Sequence, residues 1–334
     1  MTAPMSGKKI AVVGAGAVGA VLADALDRAG AEVSLLARGA HLDAIQRDGL
    51  AFDNGEDIRH LRLFASADPA ELGPQDWVLL CVKSPSLATL APTIAPLLKA
   101  DTPVVAVLNG IPWWYFQGVT GPDAGRRLQS LDRDGMIEAA IQADRVIGCV
   151  IHFAAALTAP GAVRLGHGRR LILGEPDNTV SPRLHALAES LLAGGMQVEE
   201  TDNIRAAIWT KLLGNAAANP IAAITGQTPD VIYGEPGLRS LARDVMAEAA
   251  AVAQAWGSSL TMDLDARMDL GRGLGPVRLS MLQDRDYGRP LELDAIIDAI
   301  VELGAIKGLT TPILRALAIL ARATIAADRA NRKA

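Results

Sequence analysis

Apolar positions along the first half of the chain fall into short continuous runs rather than strict alternation. Residues 9–13 (KIAVV), 32–37 (EVSLLA), 77–82 (WVLLCV) and 104–108 (VVAVL) are the clearest. Unbroken β-branched and aliphatic runs of this length predict strands covered on both faces, as in a parallel sheet. Helical spacing separates them, from 17 to about 29 and from 41 to 48, with two weaker strands within 50–63. Beyond residue 146 the pattern reads as strands at 146–154, 162–165 and 170–173, with a turn at Pro160-Gly161. A helix over 182–192 and a strand near 197–199 follow.

After Asp202 the periodicity is helical throughout. Helices are expected over 203–218, 237–256, 264–270, from 280, over 294–303 and over 312–327. The predicted fold is an α/β Rossmann-type N-terminal domain, residues 1–201, followed by an all-α C-terminal domain, residues 202–334. Substrate is expected in the cleft between them.

The turn after the first strand reads Gly14-Ala15-Gly16-Ala17-Val18-Gly19. Strand, G-x-G-x-x-G and helix in succession point to a dinucleotide. Gly14 allows the tight turn, Gly16 lets a pyrophosphate approach the backbone, and Gly19 lets the helix pack on the strand. The helix N-terminus offers free N–H groups to the phosphates. At the end of the second strand stands Arg38, where an NAD site carries an acid. A guanidinium suits a ribose 2′-phosphate, so the expected cofactor is NADP(H). Lys83 and Asn109 close two further strands, at the carboxyl ends outside which open α/β sheets bind ligands. Trp113-Trp114-Tyr115-Phe116 holds four of the twelve aromatic residues. Such a run is a pocket wall or an interface patch.

Residues 209–220 (WTKLLGNAAANP) carry Lys211, Asn215 and Asn219 at intervals of four on an otherwise apolar helix, which Pro220 is expected to stop. Spacing of this kind puts one ammonium and two carboxamides along one helix face. They are either internally bonded core groups or a stripe facing a polar ligand. Ser280, opening SMLQD, and Glu292, behind Pro290, read equally well as helix-start residues.

Composition narrows the partners. A net charge of −5 without a dense basic run argues against nucleic acid or an anionic membrane surface. No apolar run reaches the ~18 residues of a membrane span. Two cysteines, Cys81 and Cys149, lie in apolar strands, and the five histidines are scattered. Buried thiols in a reducing, cytoplasmic compartment are expected, with no metal site. The chain opens without a signal-peptide pattern. An exposed apolar face on the C-terminal helices would make a homodimer.

With these motifs the chain resembles the ketopantoate reductases over nearly its whole length. Lys-x₃-Asn-x₃-Asn-Pro at 211–220 and SMLQD followed by Glu292 are the specific parts; the glycine loop, Arg38, Lys83 and Asn109-Gly110 also match. The resemblance implies NADPH-dependent reduction of a small 2-oxo acid, 2-dehydropantoate (ketopantoate). Lys211 is then the general acid, and Asn109, Asn215, Asn219 and Ser280 bind substrate. Asn109 also borders the cofactor, Glu292 and Lys83 help to hold it, and Arg38 takes the 2′-phosphate. The family's further substrate-binding Asn has no counterpart beyond Asn219, where Gln227, Thr228 and Asp230 stand instead. A reductase of a bulkier 2-oxo acid, and a non-catalytic NADP-binding sensor, are the alternatives.

Overall fold

The computed structural model describes residues 3–258 and 263–331. In chain order its first elements are β1 (Lys9–Val13), α1 (Ala17–Arg28), β2 (Glu32–Leu36), α2 (Gly39–Asp48), β3 (Leu50–Asp53), β4 (Ile58–Leu61), β5 (Phe64–Ser66), α3 (Pro69–Leu72), β6 (Trp77–Leu80), α4 (Ser84–Leu90) and β7 (Val104–Val107). Next come α5 (Gln129–Asp132), α6 (Met136–Ala140), β8 (Val146–Ala159), β9 (Ala162–Gly174), α7 (Pro182–Ala193) and β10 (Gln197–Glu200). Helices complete the described chain: α8 (Ile204–Thr225), α9 (Pro229–Ile232), α10 (Pro236–Ala255), α11 (Leu264–Arg272), α12 (Ser280–Asp286), a π-helical turn (Asp294–Asp298), α13 (Ala299–Ile306) and α14 (Pro312–Asn331).

Two compact units result. One comprises Met1–Leu108, Trp114–Arg127 and Gly135–Ile204; the other comprises Asn109–Trp113, Leu128–Asp134 and Arg205–Ala334. The helical unit thus draws two short segments from ahead of residue 202.

In the first unit β5, β2, β1, β6, β7 and β8 run parallel in that order. The strand order reverses at β1, whose neighbours β2 and β6 lie on its two sides, and a crevice opens at its carboxyl end. Continuous apolar runs explain this arrangement: Ile10 to Val13 and Val78 to Leu80 are almost fully buried, as both-face coverage requires. Beyond β8 the sheet is mixed: β9 pairs antiparallel with β8 but parallel with β3 and β10. β8 and β9 form one long hairpin around Pro160-Gly161, where the sequence pattern showed three shorter strands. Register shifts at His152/Ala154, Ala154/Ala155 and Leu157/Ala159 interrupt the apolar alternation, which is why the hairpin read as fragments.

The second unit is helical, packed around α8. Trp209, Leu212, Ala216, Ala217, Ile221 and Ala222 of that helix are buried. Pro220 does not end it: α8 continues to Thr225 with Pro220 inside. A helix-interior Pro costs roughly 3 kcal/mol. Full burial of Ile221 alone returns about 1.5–3 kcal/mol, and Ala222 and Ala223 are buried beside it. Packing outweighs the lost backbone bond. Arg285 then caps the far end, donating to the carbonyls of Ala223 (2.9 Å) and Ile224 (3.2 Å) while paired to Asp328 at 2.6 Å.

Two carboxylates cap helices from a distance. Glu248 of α10 accepts from the N–H groups of Ile313 (3.0 Å) and Leu314 (2.9 Å) at the start of α14. Glu302 of α13 accepts from Gln129 (2.7 Å) and Ser130 (2.8 Å), which ties α5 into the helical unit. Trp113, Trp114, Tyr115 and Phe116 are all at most 5% exposed, so the run is no surface patch. The Trp114 ring lies over Gly148 in β8, where a Cβ would meet it at 2.8 Å, and Tyr115 meets Phe116 edge to face at 5.1 Å.

Glu248→Ala removes acceptors from two N-terminal N–H groups of α14. It is expected to lower the unfolding free energy by about 1–2 kcal/mol, read by urea denaturation; an unchanged midpoint would show that α14 needs no cap.

Candidate active site

In the first unit the three glycines of the loop differ in what surrounds them. Gly14 has φ +95°, and a Cβ there would meet the Cys81 carbonyl oxygen at 2.9 Å and Val82 at 2.8 Å. Gly19 sits on the Gly14 carbonyl, 2.2 Å from where its Cβ would be. Gly16 differs: nothing in the protein lies within 4 Å of its absent Cβ, so packing does not demand glycine there. Open space over a backbone that begins a helix is the cradle a pyrophosphate requires. No side chain caps α1, and no acidic residue stands in its first turn. The donor end is left for an anion, and the loop fits a dinucleotide.

His41, at the start of α2, braces this loop. Its Nδ1 accepts from the Gly161 N–H at 2.9 Å, so Nε2 carries the proton and donates to the Ala15 carbonyl at 2.6 Å. One neutral imidazole thus ties the glycine loop to the β8–β9 turn. The sequence pattern did not single it out, because nothing local signals a 120-residue contact. Arg38 is exposed, between β2 and α2, and its guanidinium makes no hydrogen bond or ion pair among the described residues. Lys83 follows Val82, which packs on Gly14, and lies at the carboxyl end of β6.

Within the helical unit five of the expected residues form two linked groups. Lys211 donates from Nζ to Asn109 Oδ1 at 2.8 Å. Asn109 in turn donates from Nδ2 to Glu292 Oε2 at 3.4 Å. The two partners have opposite needs, so the amide can point only one way: oxygen to the ammonium, nitrogen to the carboxylate. Glu292 is 5% exposed, and a buried carboxylate requires such partners. Helix-start chemistry therefore does not exhaust its role.

Asn109 is placed by its neighbour. Gly110 has φ +80°, and its missing Cβ would fall 2.3 Å from the Ala295 carbonyl oxygen. Ile111 N–H donates to that same oxygen at 2.9 Å. Ala295 belongs to the π-helical turn, whose wider winding leaves this carbonyl for the loop. Asn109-Gly110 is thus seated on the turn that follows Glu292.

Asn219 and Ser280 make the second group. Asn219 is buried, and its Oδ1 accepts from the Ser280 hydroxyl and the Met281 N–H, both at 3.3 Å. Ser280 is the first residue of α12, not its cap, and is exposed. Asn215, half-buried on α8, makes no side-chain hydrogen bond among the described residues. No group of three His, Cys, Asp or Glu there is placed to hold a metal ion.

Comparisons with known proteins bear on the chain as a whole. Residues 10–178 match the family Ketopantoate reductase PanE/ApbA, and residues 203–325 match Ketopantoate reductase PanE/ApbA C terminal. A 2-dehydropantoate 2-reductase of Mesorhizobium japonicum is 44% identical over 317 residues, 94% of this chain and 97% of that protein. The chain belongs to the ketopantoate reductase family. A protein of Ralstonia solanacearum MolK2 assigned as a ketopantoate reductase has a similar structure, with TM-score 0.92 and 41% identity, over 97% of this chain and 99% of that one. The 2-dehydropantoate 2-reductase of Geobacter metallireducens aligns with TM-score 0.82 and 29% identity, over 94% and 99%. The Rossmann-type unit and the helical unit of this ketopantoate reductase family member are those the resemblance implies.

Gly110→Ala forces a left-handed backbone on a Cβ, costing about 1–2 kcal/mol before the clash with Ala295 is counted. A lowered urea midpoint is expected; wild-type stability would contradict the seating of Asn109-Gly110 on the π-helical turn.

Proposed function

We propose that this chain is an NADPH-dependent 2-dehydropantoate 2-reductase, in which Lys211 is the general acid. The Lys211–Asn109–Glu292 relay carries the assignment of roles. When bound, NADPH supplies hydride to the carbonyl carbon. The carbonyl oxygen gains negative charge as that bond forms, and the Lys211 ammonium stabilises it and then delivers a proton. Asn109 Oδ1 holds one of the three ammonium N–H bonds and thereby aims the others. Glu292 fixes the Asn109 amide through its nitrogen and borders the cofactor. The Asn215 amide and the Ser280–Asn219 pair bind polar groups of the substrate, Asn219 chiefly by holding Ser280. Gly14 to Gly19 cradle the pyrophosphate, Arg38 takes the 2′-phosphate, and Lys83 helps to hold the cofactor beyond the carboxyl end of β6.

Neither alternative has a specific observation behind it. A larger pocket built from the aromatic run finds no support, since those rings are buried. A sensor has no need of a proton donor held by an oriented amide.

We further place the enzyme in the cytoplasm, in keeping with two free cysteines, and read it as a homodimer. Exposed Ile319 and Leu320 lie on α14 with exposed Ala316, Ala323 and Ala327, an apolar stripe that a second copy would cover. No described helix is long and apolar enough to cross a membrane.

Lys211→Ala is expected to lower kcat roughly 10²–10⁴-fold while NADPH still binds; undiminished turnover would remove Lys211 from the chemistry. Arg38→Ala is expected to raise the KM for NADPH far more than that for NADH. Equal effects would sink the 2′-phosphate assignment. Ile319→Glu with Leu320→Glu is expected to halve the mass seen by light scattering; a monomeric wild-type protein would contradict the dimer.

A further inference from the structure

Beside the active-site face of α8 lies a guanidinium that none of these roles uses. Arg267, half-buried on α11, rests against Gly214 of α8. A Cβ at Gly214 would stand 2.4 Å from its Nη2, 2.8 Å from Cζ and 3.2 Å from Nε. The guanidinium therefore occupies the place a side chain at 214 would take.

That place is next to Lys211. At 100° per residue, Gly214 lies about 60° to one side of Lys211, while Asn215 and Asn219 lie about 40° and 80° to the other. Side chains three apart on a helix are neighbours, about 5–6 Å between Cβ atoms. Arg267 thus flanks the general acid opposite the carboxamides.

Its partners are missing where they would be expected. Asp263, four residues earlier, accepts from the N–H groups of Asp265 and Ala266 instead. Asp265 pairs with Arg239 and Arg243, and Asp269 pairs with Arg239. Among the described residues the Arg267 guanidinium has no hydrogen bond or ion pair. Its close titratable neighbour is the Tyr233 phenol, which burial pushes up to about 12 against the pull of the Arg267 charge, so it is neutral and gives no counter-ion. The Tyr233 ring packs on Gly271, one turn along the same face of α11, and holds that face in place.

We propose that Arg267 is a substrate-binding residue whose guanidinium takes the carboxylate of the 2-oxo acid on the Gly214 flank of Lys211. The inference rests on the reductase reading. A ketone carbon carries its two substituents on opposite sides, and Lys211 stands between a cation and a set of amides. The charged end meets Arg267, and the hydroxyl end meets Asn215 and Ser280. A planar fork binds a carboxylate in a way that amides cannot, by charge as well as by paired hydrogen bonds.

The test compares an acid with its neutral ester. KM and kcat are measured for 2-dehydropantoate and its methyl ester, and binding of pantoate and its methyl ester to the NADP-loaded enzyme is measured by calorimetry. Arg267→Ala is expected to weaken the acid about 10- to 100-fold, leaving the ester and NADPH within about twofold. Arg267→Lys, keeping charge without the fork, falls between. Gly214→Ala displaces the guanidinium and reproduces the acid-specific loss, and the double variant loses no more than Arg267→Ala alone. An unchanged preference for acid over ester, or equal losses on both, overturns the assignment. If the wild type fails to reduce 2-dehydropantoate, the reductase reading falls, while the pantoate-to-ester binding ratio still judges Arg267. A wild type without that preference overturns it.

Discussion

A single carboxamide, Asn109, joins Lys211 to Glu292 by having two different ends. Its oxygen takes the Lys211 ammonium and its nitrogen the Glu292 carboxylate. Exchange of the two ends would face donor to donor and acceptor to acceptor, at the desolvation cost of unpaired buried groups. The orientation of the amide is therefore unique, and it fixes the place of the Lys211 Nζ. Gly110 and the π-helical turn serve this one placement. The chain must pass the Ala295 carbonyl with no Cβ, and the turn must leave that carbonyl for Ile111.

The candidate groups differ in kind between the two units. In the first, they are mostly main chain: a glycine loop with open space above Gly16, a helix start without a cap, and His41 to brace it. In the second, the surface is a stripe of side chains on one long helix, kept in register by buried packing at Trp209, Leu212, Ala216 and Ile221. Long-range carboxylate caps at Glu248 and Glu302 assemble the helices around it. A reductase needs both: an anion cradle for a charged cofactor, and oriented donors where alkoxide charge develops.

Local physics made much of this legible in the sequence. Glycine roles at 14 and 19 follow from turn geometry, and the structure shows the contacts that demand them. The spacing of Lys211, Asn215 and Asn219 placed them on one helix, but could not say that Asn219 is buried as a support while Asn215 is open. That difference arises from α12, whose Ser280 and Met281, 61 and 62 residues away, engage Asn219. Pro220 misled because its local cost was visible and the burial of Ile221 to Ala223 was not. The aromatic run misled likewise: composition shows four rings, and only the fold shows Gly148 making room for one of them. His41 and Arg267 were silent because each acts across a long sequence gap.

The most direct measurement is NADPH oxidation by the purified enzyme with 2-dehydropantoate, with NADH as the paired control and pantoate identified as product. Rapid turnover with NADPH, and far less with NADH at equal concentration, is the predicted result. Tight NADPH binding with no turnover of 2-dehydropantoate would contradict the account.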